Sequence, residues 1–239
     1  MRLQLRTKLF LNLNSKIILS ILGEKKKKKR PQQYAMFLFA SSLFVFLAAC
    51  SLVSAQNCGT SRRRPWRSLS CSEQDAYLDA AQRLKATGLW DELVRVHFES
   101  GDWGHEVPMF LLWHRWYVFI FERELQRVSG SCLTVPYWDW ERRSSFETVF
   151  HEDTFGSIDV RGCVRDGIAA GWSVAENGRC LLRDFDYRME ISSDVEIVNR
   201  ITNSDEFRVF APNLEGAPHT NLHSWVGGPM RDRWAPDGS

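Results

Sequence analysis

Five of the six histidines in this 239-residue chain fall into two groups. His97, His105 and His114 stand within one turn-rich stretch, HFESGDWGHEVPMFLLWHRW, which then enters an amphipathic helix, and His219 and His223 stand four apart in PHTNLHSWVGG. Three neutral imidazoles close together make a soft-metal site, and two at i and i+4 on a helix share a face and can bind one further ion. An isolated H-x-x-x-H is more often a pair of hydrogen-bonded core histidines. Two such groups in an otherwise His-poor chain favour metal instead. Imidazole serves zinc, copper, iron and nickel alike, so the identity of the metal needs further argument. The H-E-x-x-H word of zinc peptidases is absent, since His105-Glu106 is followed by Val107, Pro108 and Met109. No carboxylate sits at ligand spacing beside either group, which disfavours a two-histidine, one-carboxylate iron site, whereas all-histidine trigonal sites suit a metal cycling between Cu(I) and Cu(II). The sixth histidine, His151, lies among Glu147, Glu152 and Asp153 and reads as a surface residue without a metal role.

The elements that must position these groups are helical. Ser70-Cys71-Ser72-Glu73 has the form of a capping box, and Tyr77, Ala80, Ala81 and Leu84 follow at helical spacing until Gly88, which predicts a helix at about 72–86. A second helix is expected over Trp90–Phe98, with Leu93 and His97 on its inner face. The strongest helical pattern opens at His114 and continues through Val118, Phe121, Leu125 and Val128 to Ser129-Gly130. His105 then falls in a loop bounded by Gly101, Gly104 and Pro108. From Glu141 to Asp184 the periodicity weakens, and the stretch reads as a long irregular excursion stapled by cysteines rather than packed. Ser193 and Glu196 repeat the capping-box form ahead of a helix at about 194–203. A last helix is expected from near Pro218 to Gly227-Gly228, with His219, Leu222, His223 and Val226 on one face.

Composition allows one domain of generous size, with 44% hydrophobic and 13% aromatic residues to fill a core. The net charge of +2 hides a split: residues 1–55 carry ten Lys/Arg against Glu24 alone, leaving 21 Lys/Arg and 28 Asp/Glu beyond them. An acidic balance of that kind argues against nucleic acid as a partner of the folded part. The basic run Lys25–Arg30 precedes MFLFASSLFVFLAACSLVSA, Met36–Ala55, which ends in small residues suited to signal peptidase. We therefore divide the chain into a basic extension (1–35), a signal peptide or signal anchor (36–55) and a single domain (56–239), and expect a secreted protein. A single-pass anchor, the only membrane contact expected, is the alternative, and Met36 competes with Met1 as the start. Past the signal lie Cys58, Cys71, Cys132, Cys163 and Cys180, for which an oxidising compartment favours disulfides. The local pairs Cys58–Cys71 and Cys163–Cys180 are expected, with Cys132 left over. No C-x-x-C pair exists, which leaves a zinc ribbon or thioredoxin-type site without support.

The words FLLWHR, FERELQ, PYWDW and LEGAPHTNLHSWVGG resemble the tyrosinase family of type-3 dicopper proteins, which includes catechol oxidases and molluscan hemocyanins. The resemblance covers about Cys58–Ser239. It implies a mainly α fold in which a four-helix bundle brings two copper ions together, with long disulfide-stapled loops. It implies His97, His105 and His114 as ligands of the first copper and His219 and His223 as two ligands of the second. It implies dioxygen and phenolic small molecules as partners, with o-diphenols oxidised to o-quinones or monophenols hydroxylated. Glu215 matches a family glutamate that holds a water able to deprotonate incoming phenol; read alone, it is an ordinary helix-entry carboxylate. Phe110 and Trp113 are expected to wall the site, although aromatics at such spacing are more often plain core.

Several positions depart from the family pattern. Thr220 stands where many hydroxylating members have Asn, with Asn221 one position late, which weighs against monophenol hydroxylation. Trp103 occupies a place two before His105 where some relatives carry a thioether-forming cysteine, so no such crosslink is expected. Leu112 and Glu106 replace a usual proline and a usual glycine. Family members continue past WVGG-x-M into a histidine-bearing helix that supplies the third ligand of the second copper. The sequence reaches Ser239 without it, so the expectation is a dicopper core incomplete at its C-terminal side and little or no oxidase activity as written. Two alternatives stay open at this point: a hemocyanin-like dioxygen carrier, and a non-catalytic secreted remnant of the fold.

Overall fold

Helix α1, Cys71–Ala86, starts on a reciprocal pair of hydrogen bonds: Ser70 Oγ accepts the Glu73 N–H while the Glu73 carboxylate accepts the Ser70 N–H. The computed structural model describes residues 58–60, 62–189, 199 and 204–238. Among them the chain is mainly helical, with isolated β-bridges and no strands. Helix α2, Leu89–Gly104, follows a single left-handed residue, Gly88 (φ 77°). It runs a turn and a half beyond the expected Phe98, because the chain bends at Gly101 (φ 43°, ψ −131°) and resumes instead of stopping. Helix α3, Phe110–Ser129, begins a full turn before His114 and is closed by Gly130 (φ 67°). Trp66, Tyr77, Leu84, Trp90, Val94 and Leu125 form the shared core of these three helices and the short 3₁₀ turn Trp66–Ser68. Leu84 and Leu125 are fully buried, each contributing about 1.5–3 kcal/mol by burial.

The expected pairing of Cys58 with Cys71 is wrong. Cys58 is bonded to Cys132, with Cα atoms 5.2 Å apart, and Cys71 is an exposed free thiol at the first position of α1. The short sequence interval misled because α1 points its first residue away, while Glu122 of α3 pulls the two distant segments together by accepting from Arg63 Nε and the Val135 N–H. The Cys163–Cys180 bond is present as expected, Cα atoms 5.8 Å apart.

The excursion after Glu141 is packed as well as stapled. It holds a short helix α4, Arg143–Val149, bridges Ile158–Val164, Cys163–Leu182 and Ser173–Cys180, and a small apolar cluster of Val164, Ala169, Val174 and Leu181. Arg183, 1% exposed, anchors it, donating from Nη1 to the Gly156 carbonyl (2.7 Å) and from Nη2 to that of Phe155 (3.2 Å), with its guanidinium 4.7 Å from the Phe150 ring centre. The periodicity test missed this packing because bridges between short turns have no repeat to detect.

Helix α5, Phe207–Leu214, was not foreseen, and it passes without a break into a π-helical turn, Glu215–Thr220, and helix α6, Asn221–Val226. The sequence places a helix start near Pro218; instead Pro212 and Pro218, which donate no N–H, lie inside a longer helical rod and widen it at the π turn. The helix expected at 194–203 lies outside the described residues except for Asn199, as do the basic extension and the signal-like segment. Among the described residues no helix is long and apolar enough to cross a membrane.

Candidate metal centre

Each of the five grouped histidines turns Nδ1 toward a main-chain carbonyl. His97 on α2 donates to the Arg233 carbonyl (2.8 Å), and His105, just past α2, to that of Gly101 (3.2 Å). His114 on α3 donates to Phe110 (2.9 Å), His219 in the π turn to Glu215 (3.1 Å) and His223 on α6 to Met230 (2.7 Å). A carbonyl oxygen can only accept, so Nδ1 carries the proton at all five and Nε2 keeps its lone pair. The tautomer is thus set by the partner, as it is at metal-ligating histidines generally.

Those lone pairs converge. The ligand atoms of His97, His105 and His114 all lie within 4.8 Å of one another, and Nε2 of His97 is 3.3 Å from Nε2 of His114. With both Nδ1 atoms protonated, no proton is left for that short contact, so a cation between the lone pairs is what satisfies it. An ion with metal–nitrogen bonds of about 2.0–2.1 Å needs donor separations of roughly 3.3–3.6 Å, which the shortest edge already has. The second group adjoins the first: the rings of His219 and His223 are 4.3 Å apart, and those of His114 and His219 are 5.9 Å apart. The donor set therefore fits a borderline-soft ion held by neutral nitrogen.

Electrostatics point the same way. Burial, opposed in part by the carbonyl hydrogen bonds, pulls His97 and His114 from the ordinary 6.5 down to about 4. Burial and the neighbouring His223 and His114 take His219 to about 3, and burial also lowers His223. Neutral imidazole, the form that binds metal, is thus held well into the acid range.

Phe110 lies between the groups, its ring 4.3 Å from that of His114 and 4.9 Å from that of His219. Trp113 packs on His114 (4.8 Å) and is stacked on Tyr117 (5.2 Å). Glu215, 8% exposed, opens the π turn; its Oε1 accepts the Glu106 N–H (2.7 Å), and it lines a cleft of about 810 Å³ together with His97, His105, His219, His223 and Thr220. Glu106 is the only non-glycine residue with positive φ (56°) among those described, so the glycine-to-glutamate change noted in the sequence falls on a strained backbone beside the cleft. Thr220 donates its hydroxyl to the Glu215 carbonyl (3.0 Å). Trp103 is 59% exposed and leans on Trp113, not on His105. His151 is exposed beside the equally exposed Glu152 and Asp153, its Nδ1 accepting the Asp153 N–H (3.2 Å). The carbonyls of Met230 and Arg233 hold two of the imidazoles without any trace in the sequence, since a main-chain oxygen has no residue-type signature. Gly101 did leave one, a glycine four before a histidine.

The pattern of the common central domain of tyrosinase matches residues 87–237, a span that contains all five histidines. The chain is 33% identical over 206 residues to a tyrosinase of Streptomyces glaucescens, covering 73% of this chain and 75% of that one. It is 32% identical over 206 residues to a tyrosinase of Streptomyces antibioticus, with the same shares. A tyrosinase-like protein of Diaporthe leptostromiformis, phomQ1', is 35% identical over 138 residues, 53% of this chain and 35% of that one.

Proposed function

The chain belongs to the tyrosinase family, and on that premise we propose that it is a copper phenoloxidase that converts o-diphenols to o-quinones with dioxygen. The observation that carries the reading is the set of five imidazoles, each with Nδ1 on a carbonyl, three of which bring their ligand atoms within 4.8 Å of one another while the other two pair beside them. His97, His105 and His114 hold one copper, and His219 and His223 contribute two ligands to a second. Bound copper supplies the dioxygen and electron-transfer chemistry. The protein supplies orientation, through the five carbonyls, and an aromatic wall, through Phe110, against which a phenol ring stacks. Glu215 is the base: one oxygen is fixed by the Glu106 N–H, and its remaining lone pairs would hold a water that takes the phenol proton while passing one of its own to the carboxylate.

The cleft of about 810 Å³ reaching four of the histidines is roomy for a single aromatic ring, which supports phenol oxidation over dioxygen carriage. The Thr220 hydroxyl is already spent on the Glu215 carbonyl, which supports diphenol over monophenol oxidation. We propose secretion as the destination, supported by the signal-like segment and by two disulfides.

Copper content and catechol turnover test the reading together. Two coppers per chain with quinone formation and matching oxygen uptake would support the reading. Copper with reversible oxygen binding and no quinone would replace it with dioxygen carriage. One copper or none, without turnover, would make the chain a non-catalytic member of its family.

A further inference from the structure

One short segment, 228–238, supplies the orienting carbonyl to one histidine of each group: Met230 to His223 (2.7 Å) and Arg233 to His97 (2.8 Å). The other three histidines lean on carbonyls four residues earlier in their own elements, so these two alone depend on tertiary placement. The segment is pinned at both ends. At its start, Gly227 (φ 71°) and Gly228 (φ 58°) let the backbone of Leu182 and Asp184 approach so closely that a Cβ would meet the Asp184 carbonyl at 2.3 Å or the Leu182 carbonyl at 2.0 Å. At its far end the Trp234 ring is stacked on Phe98 of α2, 4.2 Å between centres, and Ala235 is 3% exposed in the apolar cluster of Trp225 and Met230. Asp237, 2% exposed, accepts the Ala175 N–H (2.6 Å) and lies 3.5 Å from Lys85 Nζ, which itself bridges to Asp91 (2.6 Å). Between the pins, Arg233 reaches across to Asp102 of α2 (2.7 Å).

We propose that residues 228–238 form a strap that orients His97 and His223 together, with Asp237 and Trp234 as the positioning residues that hold it. Neither touches a histidine. Both act through the two carbonyls between the pins, so their loss loosens metal binding at the two groups in parallel while His105, His114 and His219 keep their own partners. The metal half of this statement rests on the copper reading above; the orientation half does not.

The test uses the full chain with D237N, which keeps the side chain's shape and removes its charge, and W234A, which removes the stack at a half-buried position. Leu125→Ala, in the core of α1 and α3, serves as the stability control for lost packing. Cu(I) affinity is read by competition with a chromophoric chelator under anaerobic conditions, and the imidazole Nδ1–H signals of His97 and His223 by nitrogen-15 NMR of the metal-free protein. The expected result is a drop in affinity of roughly ten-fold or more at both groups for each strap variant, the scale on which outer partners of metal ligands act. The His97 and His223 signals should weaken together while that of His114 stays, and L125A should lower the melting temperature without moving either readout. The proposal is overturned if only one of the two signals responds, or if L125A reproduces the pattern. If the wild-type chain takes up no copper, the copper reading fails, and the NMR signals still decide the strap.

Discussion

Replacing Gly101 by alanine should damage the site and the fold in separable amounts. Gly101 adopts φ 43°, ψ −131°, a region that L side chains rarely enter, and a Cβ there would meet Arg233 Nη1 at 3.0 Å. Forcing alanine into such backbone costs about 1–3 kcal/mol. Arg233 can swing away, since the contact is the far end of a flexible side chain, at the expense of its exposed pair with Asp102, about 0–1 kcal/mol. The sum, on the order of 2–3 kcal/mol, translates into a fall in melting temperature of roughly 5–10 °C for a domain of this size. The Gly101 carbonyl also accepts both the His105 N–H and the His105 Nδ1–H, so metal affinity should drop as well. Gly178→Ala separates the two effects: Gly178 has φ 69° and open space around its Cβ, so it carries the backbone cost without touching the histidines. Circular dichroism melts of the metal-free proteins and Cu(I) competition on all three would settle the matter. Equal copper affinity for G101A and G178A would refute the claim that the bend at Gly101 places His105.

Acid should weaken the metal-free fold across the range from the ordinary imidazole value of 6.5 down to about 4. There the unfolded chain takes up protons that buried His97 and His114 refuse, a slope of up to ~1.4 kcal/mol per pH unit per histidine. Urea midpoints at pH 7, 6 and 5 should fall in that order, and bound copper should move the onset lower; a flat series would contradict the buried, neutral histidines. Leu125→Ala should cost about 2–5 kcal/mol in chemical denaturation, because Leu125 is fully buried where α1, α2 and α3 meet. A loss below 1 kcal/mol would place it outside the core. Iodoacetamide should modify Cys71, and neither Cys58 nor Cys132, in the native protein without reductant, as peptide mass spectrometry reads. Label on Cys132 would restore the local disulfide.

The sequence was most readable where one residue type carries one meaning. Histidine grouping picked out imidazoles that the fold brings side by side, and the Ser70–Glu73 box marked the start of α1, because each depends on side chains alone. It was least readable where a main-chain atom or a distant partner decides. The bend at Gly101 keeps α2 running because the helix resumes after one residue, which a glycine by itself does not announce. Pro218 reads as a helix start, yet α5 continues through the π turn into α6. Cys58 found Cys132 across 74 residues because a buried Glu122 gathers their segments, and no local interval encodes that.

Main-chain oxygens, not side chains, aim all five imidazoles, and this shapes which inherited changes the site can survive. Every amino acid carries a carbonyl, so most single-codon replacements at exposed Arg233 leave an acceptor in place, whereas Met230 and Phe110 are also held by their buried side chains. The vulnerable codons are those that fix backbone path: glycine at 101, 227 and 228, where a side chain would collide with a neighbouring group or carbonyl. Disabling variants of this chain should therefore concentrate at glycines and at the histidines themselves, while Arg233, an exposed residue whose oxygen holds His97, varies more freely.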